Sequence, residues 1–290
     1  MGLRKMDDDF YLYPGSPSTG FKLSDGGIVL VDPGHGSGRH KDLLREARKL
    51  GKPVLAQVAT HGHADHIAAS LRIGAPLHTH RFEVSIAESP VAREVMTFGS
   101  KAPEGFLAYS FPEELRVRGV FDWGESPFGL KAVGLLGHSP GMTGFLSGNV
   151  LYAGDSFFGE RLLGAVGLPY LIDVGAFLRS LDSLEGLASS GVTLIPSHGP
   201  VVSGEEALNL VEINRGRILR AVGLTLELLR RPLSTDELTL KLMEAFGVEP
   251  NPKKLALNLV PVRAIIARLY NDDKIEALVE KGLKWKVKAG

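Results

Sequence analysis

Apolar residues in the first two-thirds of the chain fall in short runs that stop at a polar residue. Gly27-Ile28-Val29-Leu30-Val31 stops at Asp32-Pro33-Gly34. Pro53 to Ala59 stops at Thr60-His61. Residues 130–137 stop at His138, Val150 to Gly154 at Asp155, and Val192 to Ser197 at His198. Short apolar runs bounded by Gly and Pro predict strands. Residues at the C-terminal ends of such strands converge on one edge of an open sheet. Between the runs, helical spacing predicts helices over 67–72, 82–87, 91–96 and 177–184.

After Pro200 the texture changes. Residues 205–229 read as one long helix with a bend near Gly216 or Gly223. Ser234-Thr235-Asp236-Glu237 has capping-box spacing and predicts a helix start, with the helix running to Phe246. A further helix is expected over 252–270, interrupted near Pro261. Residues 274–279 and 283–288 read as two strands. In the second, Leu283, Trp285 and Val287 alternate with Lys284, Lys286 and Lys288, a period of two with one apolar and one basic face.

The residues at which the runs stop carry the chemistry. Residues 61–66 read His-Gly-His-Ala-Asp-His. Neutral imidazole and carboxylate are the usual ligands of zinc and its divalent neighbours. The spacing puts His61 and His63 on one side of a tight loop and Asp65 and His66 on the other, so one loop can feed two metal ions. Two alternatives stand beside this reading: a solvated surface turn, and a set of N-capping residues ahead of the helix at Ile67.

With His138, Asp155 and His198 added in order, the chain resembles the metallo-β-lactamase superfamily over roughly residues 10–210. The resemblance implies an α/β fold, a four-layer αβ/βα sandwich with the metals at one edge of the sheets. It implies that His61, His63 and His138 hold one metal, that Asp65, His66 and His198 hold the other, and that Asp155 bridges them. Asp32 is expected to brace the His loop from outside the ligand set. Two divalent ions, zinc first with iron or manganese as alternatives, would ionise a shared water to attack a carbonyl carbon or a phosphorus. Asp65 is the expected catalytic residue, orienting that hydroxide or carrying its proton. Of the other histidines, His80 is expected near the site, His78 on the opposite face, His35 in the loop after Asp32, and His40 on the surface.

Composition narrows this picture. The 290 residues are 44% apolar, enough for a sizeable core, and the formal net charge is zero, which gives no global pull toward nucleic acid or anionic membrane. There is no cysteine, hence no disulfide framework and no thiolate ligand, unlike the β-lactamases that use a Cys ligand. The charged opening Met1–Asp9 does not read as a signal peptide and no apolar run is long enough to span a bilayer. The expectation is a cytoplasmic protein with no membrane partner.

Two domains are expected: 1–210, catalytic, and 211–290, small and winged-helix-like in its order of helices and hairpin. The second resembles the C-terminal domain of the β-lactamase-like endoribonucleases, as does Pro196-Ser197-His198-Gly199-Pro200. It carries 15 Lys/Arg against 10 Asp/Glu. Residues 81–128, with Phe98, Phe106, Tyr109, Phe111, Phe121 and Trp123 among Gly and Pro, wall a pocket or anchor a loose loop to the core. Residues 156–176 form a second expected wall.

The glutathione-binding pattern of glyoxalase II-type enzymes is not found. Phe158 stands where acyl-homoserine lactonases carry Tyr, and the chain has no room for a β-CASP insert. The leading reading is a dinuclear hydrolase of a small ester, thioester or lactone. The alternatives are a single-strand endoribonuclease with RNA as partner, a metal-binding effector that oligomerises through its C-terminal part, and a mono-iron dioxygenase.

Overall fold

The computed structural model describes residues 2–107, 110, 111 and 113–288. Strands β1 (Arg4–Lys5), β2 (Phe10–Tyr13), β3 (Thr19–Ser24) and β4 (Gly27–Val31) form an antiparallel meander. After helix α1 (Arg39–Lys49), β5 (Val54–Ala59) joins β4 in parallel. Helix α2 (Ala64–Ile67) and a tight helical turn over Ala68–Arg72 lead to β6 (Leu77–His80). Helices α3 (Val84–Glu88) and α4 (Pro90–Phe98) lead to β7 (Val117–Phe121), which closes a seven-stranded sheet in sequential order. A second sheet, in the order β11-β10-β9-β8, comprises β8 (Lys131–Gly134), β9 (Thr143–Ser147), β10 (Val150–Gly154) and β11 (Thr193–Pro196). Helices α5 (Glu160–Val166) and α6 (Val174–Ser189) lie between β10 and β11.

The period of two in the apolar runs is what stacks the layers. On β4, Val29 and Val31 point into the space between the sheets. There they meet Phe145, Val150, Tyr152 and Ile195 of the second sheet. Ile28 and Leu30 point the other way, onto Leu43 and Ala47 of α1. On β10, Val150 and Tyr152 face the first sheet while Leu151 and Ala153 face α6. Strands buried on both faces need a helix layer on each side, giving the helix–sheet–sheet–helix sandwich expected from the sequence. Each fully buried Leu, Ile or Phe contributes roughly 1.5–3 kcal/mol.

The C-terminal region is helical: α7 (Gly204–Leu228), α8 (Thr235–Ala245) and α9 (Pro252–Asn271), followed by the hairpin β12 (Ile275–Val279) and β13 (Leu283–Val287). The capping box at α8 forms as read, with Glu237 N donating to Ser234 Oγ at 3.2 Å and Ser234 N to Glu237 Oε2 at 2.7 Å. The interruption expected at Pro261 does not occur: α9 continues through it. Burial of Pro261, Val262, Ile265, Ile266 and Leu269 offsets the one backbone hydrogen bond that proline removes. Trp285 and Val287 pack on the helices, and Trp285 Nε1 donates to Thr235 Oγ1 at 3.1 Å. The apolar core on this side is one cluster that includes residues from Leu135 to Ile275. Among the described residues, no helix is long and apolar enough to cross a membrane.

One further sequence expectation is adjusted. His138 does not end its strand directly. β8 stops at Gly134, and a turn closed by Leu135 N to Met142 O (3.0 Å) carries the chain on to His138. The segment after Asp155 contains a helix, α5, whose Leu163 is buried in the core.

Candidate metal centre

The histidines of the loop after β5 are buried, and His61 and His66 have no exposed surface. That excludes the solvated-turn reading. The capping reading fails as well, because His63 occupies the N-cap of α2 without a side-chain hydrogen bond to it. Gly62 is required where the loop crosses α3, since a Cβ there would lie 2.8 Å from Ala87 N.

His138 arrives from the second sheet on a turn held against the chain ahead of α6. Ile172 N and Asp173 N both donate to Gly137 O. Gly137 has φ +116°, and a Cβ on it would sit 2.3 Å from Phe177 N. Asp155 and His198 follow the adjacent parallel strands β10 and β11.

All seven residues named from the sequence come together. His61, His63 and His138 bring ligand-type atoms within 4.8 Å of one another, as do Asp65, His66 and His198. Asp155 touches both trios: Oδ2 is 3.6 Å from His138 Nε2 and 3.6 Å from His198 Nε2, and Oδ1 is 3.4 Å from His66 Nε2. His35, His40, His78 and His80 belong to neither trio. His80 stacks on Trp123 with ring centroids 4.0 Å apart, and His78 on Phe128 at 5.0 Å.

Hydrogen bonds at the outer nitrogens set the tautomers. His138 Nδ1 lies 3.0 Å from Tyr170 O, which can only accept, so Nδ1 carries the proton. Thr60 Oγ1 donates to Asp32 Oδ2 at 2.7 Å and therefore accepts from His61 Nδ1 at 2.9 Å. Both inward Nε2 atoms are thus bare lone pairs, and they face each other at 3.1 Å, with His63 Nδ1 2.9 Å from His138 Nε2. Burial, then the neighbouring imidazoles, holds His61 far below the ordinary histidine range. Burial, then His138, takes His63 down to about 3, and burial lowers His138 as well. The facing lone pairs of His61 and His138 repel unless a cation sits between them, and His63 Nδ1 reaches the same point, so this trio fits a metal ion.

In the second trio the balance differs. His66 Nδ1 donates to Asp32 Oδ2 at 2.7 Å, and its Nε2, buried and without a hydrogen-bond partner among the described residues, points at Asp155 and Asp65. Burial opposes a charge on His66, yet Asp155, Asp65 and Asp32 outweigh it and raise its pKa well above the usual value. For His198, burial is likewise outweighed by Asp155 and Asp65, and its pKa is raised. Asp65 and Asp155 are held far below the ordinary carboxylate range. Burial alone would raise both, but the surrounding histidines prevail. The site stabilises positive charge at this position, which suits a divalent cation.

Asp32 also approaches His61 and His66, but both its oxygens are already engaged, Oδ1 by Thr60 N (2.8 Å) and Oδ2 by Thr60 Oγ1 and His66 Nδ1. Its place is behind the ligands, as the sequence reading expected.

Three supporting residues were not read from the sequence. Ser16 Oγ lies 2.7 Å from His198 Nδ1, and Tyr170 O orients His138. Glu83, fully buried, accepts from Gly62 N at 2.9 Å and from Gly141 N at 2.6 Å, tying the 61–66 loop to the His138 turn. Burial pushes its carboxyl above the ordinary range. A lone Glu in a helical stretch carries no pattern that would single it out. Replacing Glu83 by alanine leaves two N–H groups unpaired, so Glu83→Ala should cost about 2–5 kcal/mol in chemical denaturation. It should also lower metal content, read by elemental analysis of the purified protein. Unchanged stability and metal content would show that the two loops need no such tie.

The profile of the family described as "Metallo-beta-lactamase superfamily" matches residues 13–199, more than half of the chain. The chain belongs to the metallo-beta-lactamase superfamily. Membership supports a metal-dependent hydrolase in general. Among solved structures, it is similar to a metallo-beta-lactamase family protein of Thermus thermophilus, with a TM-score of 0.71 and 20% identity over 98% of this chain and 100% of that one. It is also similar to a beta-lactamase domain protein of Burkholderia ambifaria, with a TM-score of 0.71 and 18% identity over 99% of this chain and 93% of that one. Among curated proteins it is 24% identical to the uncharacterized protein YobT of Bacillus subtilis (strain 168) over 134 residues. These are 45% of this chain and 57% of that protein, so the match spans little more than half of the relative's length.

A cavity of about 350 Å³ opens beside the seven residues. Its walls come from α4 and the segment after it (Phe106, Phe111), from the α5 region (Phe158, Leu168), and from the start of α9 (Leu257). Both segments expected to wall a pocket do so. Of the remaining aromatics of the 81–128 segment, Phe121 is instead part of the core between the sheets. Tyr109 lies outside the described residues.

Proposed function

We propose that this superfamily member is a dinuclear metallo-hydrolase acting on a small ester, thioester or lactone. One observation carries the reading: two ligand trios share Asp155, and the inward lone pairs of His61 and His138 face each other at 3.1 Å. In this reading His61, His63 and His138 hold one ion, Asp65, His66 and His198 the other, and Asp155 touches both. Zinc is the first expectation for this all-nitrogen-and-oxygen donor set, with iron or manganese the alternatives. Ions held there would supply Lewis acidity and lower the pKa of a water toward neutrality.

The chain's own residues do the rest. Asp65 is held ionised and faces His198 Nε2 at 3.3 Å, so its carboxylate is an acceptor placed to orient the attacking water at the reacting centre. Asp32, Thr60, Ser16 and Tyr170 fix the imidazole orientations. The apolar cavity wall excludes water and holds the rest of a small substrate, which supports an ester or thioester over a polymer. Residues 211–290 are assigned to a winged-helix-like domain, supported by the order of α8, α9 and the β12–β13 hairpin, and it contributes one cavity wall.

The test is turnover of a panel of aryl esters, thioesters and lactones by metal-loaded protein, alongside labelled single-stranded RNA. Asp65→Ala should reduce ester turnover by about a hundredfold or more. His40→Ala should leave it within about twofold, since surface substitutions away from a site have small effects. Equal, small effects of the two would sink the site. Chelator-sensitive RNA cleavage with no ester turnover would replace the reading with the endoribonuclease.

A further inference from the structure

The cavity beside the metal centre is chemically lopsided. Part of its lining is made by His63, Asp65, His138, Asp155 and His198. Another part is apolar, with Phe106, Phe158, Leu162 and Leu168, and Lys253 and Lys254 of α9 also contribute to the wall. Apart from the candidate ligands, the charged lining residues are Arg93, Glu94, Lys253 and Lys254.

Two of these four are committed to the fold. The Arg93 guanidinium donates to the carbonyls of Ala87, Phe111 and Glu113 and lies over the Phe111 ring. Glu94 Oε2 accepts from Ala102 N at 3.0 Å. Among the described residues, neither lysine ammonium has an ion-pair or hydrogen-bond partner. Each is an unpaired cation at the cavity wall, so an anionic group of a bound molecule gains charge attraction there.

We propose that Lys253 and Lys254 form an anion subsite of the reaction cavity, so that the preferred substrate is an ester or thioester of an apolar acyl chain with an anionic group at its far end. This rests on the hydrolase reading for the reaction but not for the binding. The reacting carbonyl sits at the histidine cluster, the chain lies along the apolar part, and the terminal carboxylate, phosphate or sulfate is met by the lysines. A neutral acyl chain fills the same space and leaves both ammonium groups unmatched. The preference is therefore one of charge at a fixed chain length.

The probes are adipate, suberate and sebacate set against hexanoate, octanoate and decanoate. Binding to zinc-loaded protein is measured by titration calorimetry, for the wild type and for the double variant Lys253→Gln/Lys254→Gln. At least one diacid should bind the wild type about tenfold more tightly than its monoacid, and the ratio should fall to about one in the variant. The diacid advantage should also shrink with added salt. No diacid advantage at any chain length, or an advantage that survives in the variant, overturns the subsite. The mono-p-nitrophenyl esters of the same acids separate the two readings. Turnover of the neutral esters without a diacid preference sinks the subsite and keeps the hydrolase. A lysine-dependent diacid preference in binding without turnover of any ester keeps the subsite and sinks the hydrolase.

Discussion

Asp155→Ala is expected to lower kcat/KM by about a thousandfold or more, roughly 4 kcal/mol of transition-state stabilisation. Asp155 reaches both trios, and its Oδ1 is buried without a hydrogen-bond partner among the described residues. In the proposed centre its removal would take away a ligand for each ion and the negative charge that offsets two cations. Bound metal should fall to about one ion per chain or fewer, while far-ultraviolet circular dichroism stays that of the wild type. Asp155→Asn keeps the shape and halves the donor set, so it should retain more metal than alanine but little more turnover. Full metal content with wild-type kcat in the alanine variant would mean that the two trios do not act as one centre.

Asp32→Ala should produce the largest loss of stability among the site variants, about 3–6 kcal/mol, or a drop of about 10 °C in Tm. The Asp32 carboxylate is fully buried and accepts three hydrogen bonds, from Thr60 N, Thr60 Oγ1 and His66 Nδ1. Alanine strands all three donors in the core. It also places a side chain without polar atoms at φ +49°, a left-handed conformation that Asp and Asn tolerate better. Asn at this position removes the backbone penalty and can still accept from Thr60 N. Its amide would turn a donor toward Thr60 Oγ1 or His66 Nδ1, so Asp32→Asn should recover about 1–2 kcal/mol yet bind the second metal about 10–100-fold more weakly. Thermal denaturation and competitive metal titration read the two effects separately. A shift below about 1 kcal/mol for alanine would contradict the hydrogen-bond network described around His66.

The legible part of this protein is the part written in local periodicity. Unbroken apolar runs at 27–31 and 150–154 mark strands covered on both faces, and Ser234/Glu237 marks the start of α8, because both depend on residues within a few positions of one another. Pro261 shows the limit of local rules. Its intrinsic penalty is real, but the apolar contacts of α9 with α6 and α7 outweigh it, and no local signal reports those contacts. The same limit hides Glu83, whose partners Gly62 and Gly141 lie 21 and 58 positions away, and Ser16, which meets His198 across 182 positions.

The chemical inventory is written along the chain: histidines and aspartates placed where apolar strands run out, in an order resembling one superfamily, with no cysteine to compete. Strand ends share an edge whenever strands share a sheet, so convergence in general was already implied. The rest follows from packing between distant segments. The register of β10 against β11 sets Asp155 beside His198, and the stacking of two sheets brings His138 to within 3.1 Å of His61. The packing of α9 against α4 walls the cavity and brings Lys253 and Lys254 to it. Those placements depend on distances between segments far apart in the chain. Such distances come from how buried surfaces fit, and periodicity along a single segment carries no record of that fit.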